Sequence, residues 1–270
     1  MVTKFLSACV LIASVMLVTS CGGGGGSGST PIPGTGGIWI GTWIGPGGGE
    51  EAALALSTDI DTDTGVASFS FFLYPSRIQV AGTAQLDVDG IAITGSGTAF
   101  TIPGDSFPGG ETTTGFSFTG TLREGLTFDA DWTIDAGDSG SFSLDYQQEH
   151  LRSADLAKLD GIWTLYDIDD DLKQNPMGTF DILDGMIFRQ TADCASTGSI
   201  TIPDSRFNMY VWDATVTSNT VGSCFIEGHY TGLGVLSDTD DESPTPLNDE
   251  FDALVNSETL AFPLLLELEP

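Results

Sequence analysis

Positive charge is scarce in this chain: eight Lys and Arg stand against 38 Asp and Glu, for a formal net charge of −30. That scarcity excludes nucleic-acid recognition, which needs a basic footprint on the phosphates. It also excludes adsorption to anionic lipid through charge. Histidine is scarcer still, with two residues, His150 and His229, which leaves little material for a His-built metal centre. There is no GxSxG, HExxH, Walker loop or GxGxxG in a βαβ setting, so the chemistries those motifs carry have no foothold. Residues 5–20 are uncharged and mostly apolar, but sixteen residues are too few for a comfortable transmembrane helix, which needs about 20.

That apolar stretch follows Met1-Val2-Thr3-Lys4, a short n-region with one positive charge, and ends at Val18-Thr19-Ser20-Cys21. Charge, apolar run, small residues and cysteine together read as a signal segment, residues 1–20. The last four residues resemble the lipobox of bacterial lipoproteins. The resemblance implies diacylglycerol on the Cys21 thiol, cleavage before Cys21 and acylation of the new amine. Two or three acyl chains anchor stably where one is marginal, so the expected partner is a membrane reached through covalent lipid. The residue after Cys21 is Gly22, not the Asp that retains Gram-negative lipoproteins in the inner membrane. By that analogy the expected address is the outer membrane of a Gram-negative cell envelope. Residues 21–36 carry GGGGGSGSTPIPG and neighbours, a flexible tether spanning roughly 20–25 Å.

Without residues 1–20 the chain keeps seven basic and all 38 acidic residues, a net charge of −31. The acid excess fits a salty habitat, where self-repulsion is screened, and equally fits cation binding. Apolar residues at 40% and aromatics at 10% suffice for packed cores. Of four cysteines, Cys9 leaves with the signal and Cys21 carries lipid. Cys194 and Cys224 remain, and in an oxidising compartment a disulfide is the expected fate. In the chain-entropy account, closing that loop is worth about 3.5–4 kcal/mol.

Period-two alternation dominates the rest. Leu126, Phe128, Ala130, Trp132 and Ile134 share one face, as do Phe116, Phe118, Gly120 and Leu122. The same holds for Ile78, Val80, Gly82, Ala84 and Leu86, and for Phe142, Leu144 and Tyr146. Turn signals separate the runs: Asp89-Gly90, Glu124-Gly125, Asp138-Ser139-Gly140 and Asp184-Gly185. The pattern predicts an all-β chain of antiparallel barrels or sandwiches. It breaks at 149–160, where Leu151, Leu156 and Leu159 lie near one helical face and Ser153 is a candidate cap, so residues 151–160 read as a short helical linker. Gly161-Ile162-Trp163 then echoes Gly37-Ile38-Trp39 and the nearby Gly41-Thr42-Trp43. Two tandem small β domains follow, 37–150 and 161–270, with an internal duplication as the expected origin.

Gly-x-Trp on the first strand of a small antiparallel domain resembles the opening of lipocalin-like and avidin-like barrels. The resemblance implies that Trp39 or Trp43, and Trp163, close one barrel end. The whole chain also resembles uncharacterised two-domain β-rich bacterial lipoproteins with a Gly-rich tether. A transmembrane barrel alternates by two as well; the lipobox, the short Gly-rich strands and the terminal Leu268-Glu269-Pro270 argue against it.

Candidate chemistry is thin. Alternation places His229 with Phe225 and Glu227, a His–Glu pair able to do acid–base work or help bind a metal, while His150 sits beside Glu149 at the domain junction. Three acidic runs stand out: Asp59, Asp61 and Asp63 before Gly65; Asp167, Asp169, Asp170 and Asp171; and Asp238, Asp240, Asp241 and Glu242. The first resembles a DxDxD calcium loop, with its glycine one place late and Ser70 where a bidentate Glu belongs. Each also reads as a solvated hairpin tip. Beyond the lipid on Cys21, and calcium on that weak pattern, no cofactor is expected. The reading is a non-enzymatic envelope lipoprotein with a binding or structural role and an envelope protein or glycan as partner. The alternatives are a small-ligand carrier, its pocket lined by Phe69, Phe71, Phe116, Phe118 and Trp132, and a polysaccharide hydrolase with two close carboxylates.

Overall fold

The computed structural model describes residues 35–269 apart from 62, 87–90, 102–104, 167–175, 221–223 and 239–248. The signal segment, Cys21, the tether up to residue 34, the Asp167–Asp171 run and most of the Asp238–Glu242 run lie outside the described residues.

The chain is all-β and forms two closed antiparallel barrels, not sandwiches. The first consists of β1 (Gly37–Ile44), β2 (Glu50–Ser57), β3 (Ala67–Tyr74), β4 (Gln79–Leu86), β5 (Ala92–Phe100), β6 (Thr113–Arg123), β7 (Thr127–Ile134) and β8 (Ser139–Tyr146). Each strand pairs with the next, and β1 closes on β8 with Gly41 opposite Leu144. The second repeats this meander with β9 (Gly161–Tyr166), β10 (Pro176–Leu183), β11 (Met186–Gln190), β12 (Cys194–Thr201), β13 (Tyr210–Ser218), β14 (Gly228–Ser237), β15 (Glu250–Asn256) and β16 (Ala261–Leu268). It closes through β16 and β9. Full closure removes the free sheet edges that short Gly-rich strands would otherwise present.

The alternating residues face as their period dictates, with two local differences. Phe128, Ala130 and Trp132 point inward, but Leu126 sits in the β6–β7 turn and is exposed. The Asp138-Ser139-Gly140 signal lies a little late: the β7–β8 turn is centred on Asp135 and Ala136, and Ser139 already belongs to β8. Asp184-Gly185 makes a two-residue hairpin with both φ angles positive (51° and 74°), the conformation that matches strand twist.

The linker is not a helix. It contains two 3₁₀ turns, Gln148–Leu151 and Leu156–Lys158, split by extended residues. Asp155, not Ser153, caps the second, its carboxylate accepting from the Ala157 N–H at 3.0 Å. The Ser153 carbonyl instead accepts from Lys158 Nζ at 2.7 Å. Two capping residue types two positions apart compete here. Leu159, which follows the second turn, is 0% exposed at the base of the second barrel.

The barrels meet through a third apolar cluster on their outer faces. Ile38, Leu56 and Phe72 of the first pack with Met209, Leu233, Val235 and Leu254 of the second. This is why β3 reads ASFSFFLY with both faces buried, against simple alternation. Gln79 Nε2 donates to the Val255 carbonyl at 3.0 Å across the junction, and Arg152 pairs with Asp238 at 2.8 Å.

Candidate functional site

The two interiors differ because their inward residues differ in size. In the first barrel Trp39, Trp43, Phe69, Phe71, Phe116, Phe118, Phe128, Trp132 and Phe142 face one another, with ring centroids 4.8–6.5 Å apart. Side chains of this bulk fill an eight-stranded barrel. Of the residues expected to line a carrier pocket, Phe69, Phe71 and Phe118 are therefore core filling, while Phe116 and Trp132 also border the space that is left. What remains is a recess of about 570 Å³ at one end, bordered by Glu51, Asp105 and Asp138 as well as Trp43, Phe107 and Trp132.

In the second barrel the bulk is concentrated at the base. Trp163, 0% exposed, donates its indole N–H to the Leu159 carbonyl at 2.7 Å. The Asp155 N–H reaches the Tyr210 hydroxyl at 3.2 Å, and burial pushes that phenol up to about 12. The segment Asp155–Leu159 thus plugs this end, and the Gly-x-Trp tryptophan stands against the plug. Trp39 occupies the matching place in the first barrel, bonded to Ser57 Oγ at 3.0 Å, while Trp43 borders the recess at the other end.

Away from the plug the inward positions become small: Ser196, Ala214, Val216 and Ala261. They leave a cavity of about 480 Å³ with walls of Leu165, Phe180, Trp212, Tyr230, Phe262 and Leu264. That volume and apolar lining are those of a small-molecule site. At the mouth stand Met177, Ile226 and Phe225, and Phe225 is 81% exposed. The Cys194–Cys224 disulfide ties the 219–227 loop to the start of β12 at this rim. Arg77, from the β3–β4 turn of the first barrel, also lines the cavity.

Arg189 is the polar feature of the wall. It follows Ile187 by two residues on β11 and so faces inward. Its Nη2 donates to the Met177 carbonyl at 2.9 Å, and its guanidinium lies 5.0 Å from the Phe180 ring centroid. A register shift between Pro176 and Gly178 interrupts the β9–β10 ladder at Met177. Gly178 lacks the Cβ that would sit 3.2 Å from Nη2. The Arg189 Nε is buried without a partner, and burial holds the guanidinium below its ordinary range.

The other predicted residues are dispersed. Asp61 caps its own turn, Oδ1 accepting from the N–H groups of Asp63 and Thr64, each at 2.8 Å, which holds its carboxyl below the usual range. Asp59 Oδ1 accepts from the Gly36 N–H at 2.8 Å. Among the described residues no three of His, Cys, Asp or Glu form a group that could hold a metal ion. His229 pairs with Asp213 at 3.0 Å on the exposed outer face of β13 and β14, not with Glu227, which accepts from Ser218 Oγ at 2.8 Å.

His150 is the more informative histidine. It is 2% exposed, stacked parallel on Phe207 at 4.8 Å and met edge-on by Tyr146 at 5.8 Å. Neither ring nitrogen has a partner. It borders a groove of about 470 Å³ between the barrels, opposite Asp59 and Asp204. Burial pushes its pKa down to about 4, although those two carboxylates pull the other way. A close carboxylate pair is also present: Ser237 Oγ lies 3.1 Å from Glu250 Oε1 and 3.0 Å from Asp252 Oδ2. Burial, then the neighbouring Glu250, pushes the Asp252 carboxyl well above the carboxylate range. Both side chains are buried, and neither borders the barrel-end cavities or the groove.

The fold and the cavities define a class: a tandem of eight-stranded up-and-down barrels, the first ring-packed with a recess at one end, the second with a more apolar cavity. No protein-family model, curated protein or solved structure matches the chain.

Proposed function

We propose that the protein is a lipid-anchored envelope lipoprotein whose second barrel binds a small apolar ligand without transforming it. The observation that carries this reading is the apolar cavity of about 480 Å³, plugged at one end and rimmed by exposed Met177 and Phe225 at the other. Exposed apolar side chains at a cavity rim mark an entry route more readily than a finished surface. The first barrel, filled by aromatic rings, serves as a scaffold that carries the second, with lipid on Cys21 and the 21–36 tether holding both at the outer membrane. A hydrolase reading draws less support, because the close carboxylate pair, Glu250 and Asp252, is buried at the wall of β14 and β15.

The test is native mass spectrometry of the protein purified gently from its own membranes. A small non-covalent mass beyond the acyl chains supports the reading. A bare monomer, or a second polypeptide with no small molecule, refutes the ligand role and leaves a structural or partner-binding one. A Cys21→Ser variant should lose both the acyl mass and membrane retention; if it stays on the membrane, the anchor assignment falls.

A further inference from the structure

Three charged residues border the second barrel's cavity among the described residues: Arg77, Arg189 and Asp193. The balance of these three is positive, in a chain whose net charge is −30. Among the described residues, Arg152 meets Asp238 and Arg206 meets Asp204. Arg189 has no such pairing. Its contacts are a carbonyl at 2.9 Å and an aromatic face at 5.0 Å, and its Nε–H has no acceptor. A buried donor left in this state is destabilising, and such groups persist where something else supplies the partner. Nη2 keeps a second proton after donating to Met177, and the guanidinium charge has no carboxylate beside it among the described residues. A carboxylate or a phosphate supplies that counter-charge, and a neutral head does not.

We infer that the ligand is a single-chain amphiphile with an anionic head, its chain in the apolar cavity and its head on the Arg189 guanidinium. This rests on the reading of the second barrel as a ligand-binding module. The alkyl part meets Phe180, Trp212, Phe262 and Leu264, and the head stays at the rim half of the barrel, on the strand end that leads to the disulfide. The protein's overall field repels anions, so the local donors must supply the preference. Gly178 and the register shift at Met177 leave room for the guanidinium at the rim.

Isothermal titration calorimetry on the full chain tests this with three probes of one chain length: laurate, dodecyl phosphate and 1-dodecanol. The expected result is that at least one anionic probe binds about 10- to 100-fold more tightly than dodecanol. Which of the two does so identifies the head as carboxylate or phosphate. Arg189→Met should bring the anionic probe down to the dodecanol level and leave dodecanol unchanged, while Arg189→Lys should keep part of the preference. Equal binding of all three probes by the unaltered protein overturns the anionic head and spares the apolar pocket. An Arg189→Met protein that keeps the full preference also overturns it. Binding of none of the three overturns the head and the pocket together. The comparison on the unaltered chain decides the matter even if a variant does not fold.

Discussion

Acid should loosen this protein through His150. The ring is buried between Phe207 and Tyr146 with both nitrogens unpartnered, and it titrates at about 4 against 6.5 for a free side chain. The folded pKa lies below the unfolded one, so the unfolded chain takes up the proton first. The stability this neutral ring secures is complete above pH 6.5, declines as pH falls, and is fully lost below about pH 4. A gap of about 2.5 pH units corresponds to about 3 kcal/mol, of which about 2 kcal/mol is gone by pH 5. Asp59 and Asp204 face the ring across the groove, and Arg206 is held by Asp204 in a 2.6 Å contact. Asp204 itself titrates below the usual range, chiefly through its hydrogen bond from Arg206, so it weakens the fold only at lower pH. His150→Phe keeps a flat ring in the stack and removes the titration. Urea unfolding of both proteins at pH 7.5, 6, 5 and 4 should show the variant's advantage widening by about 2 kcal/mol between pH 7.5 and 5. Parallel pH profiles for the two proteins would show that protonation of this ring does not control the junction.

The buried carboxylate pair should act in the opposite sense. Because the folded pKa of Asp252 is raised, its contribution is complete below 3.8 and lost as pH climbs through the folded value; Asp252→Asn should therefore gain on the unaltered protein from pH 5 to pH 8, and a gap that shrinks with rising pH would contradict this. Replacing Cys194 and Cys224 together by Ala should lower the unfolding free energy by about 3.5–4 kcal/mol for a loop closed over a separation of 30 residues; an unchanged urea midpoint would rule that out. Phe71→Ala, at the centre of the first barrel's rings and 0% exposed, should cost about 3–5 kcal/mol while leaving titration of the second barrel unchanged, and loss of ligand binding with the fold intact would refute the division of labour.

Period-two alternation made the all-β class legible, since an inward residue every second position follows from strand geometry alone. The disulfide was legible from compartment and arithmetic. Whether a barrel interior is filled or hollow was not, because it depends on which small residues meet at one level. Ser196 and Val216 lie on different strands, and only register sets them opposite each other. Hence Phe69 and Phe118 read equally as lining or as filling, and the structure makes them filling. Arg189 did carry a signal: an arginine two places after Ile187 on a strand shares its face. The junction escaped because Ile38, Leu56 and Phe72 look like ordinary lapses in alternation until a second barrel covers them. Ser153 is of a capping residue type, but Asp155, two residues on, directly precedes the second turn and caps it.

A wall one strand thick is compliant, and β15 shows how that is managed here. The Val255 side chain belongs to the cavity, its carbonyl is held by Gln79 of the other barrel, and the next residue back, Leu254, is wedged into the junction. Arg77 reaches the same cavity from the other barrel's turn. The first barrel is thus a buttress for the second. The second barrel cut free would have a softer chamber missing one stone of its wall, because the cavity is built across a domain boundary.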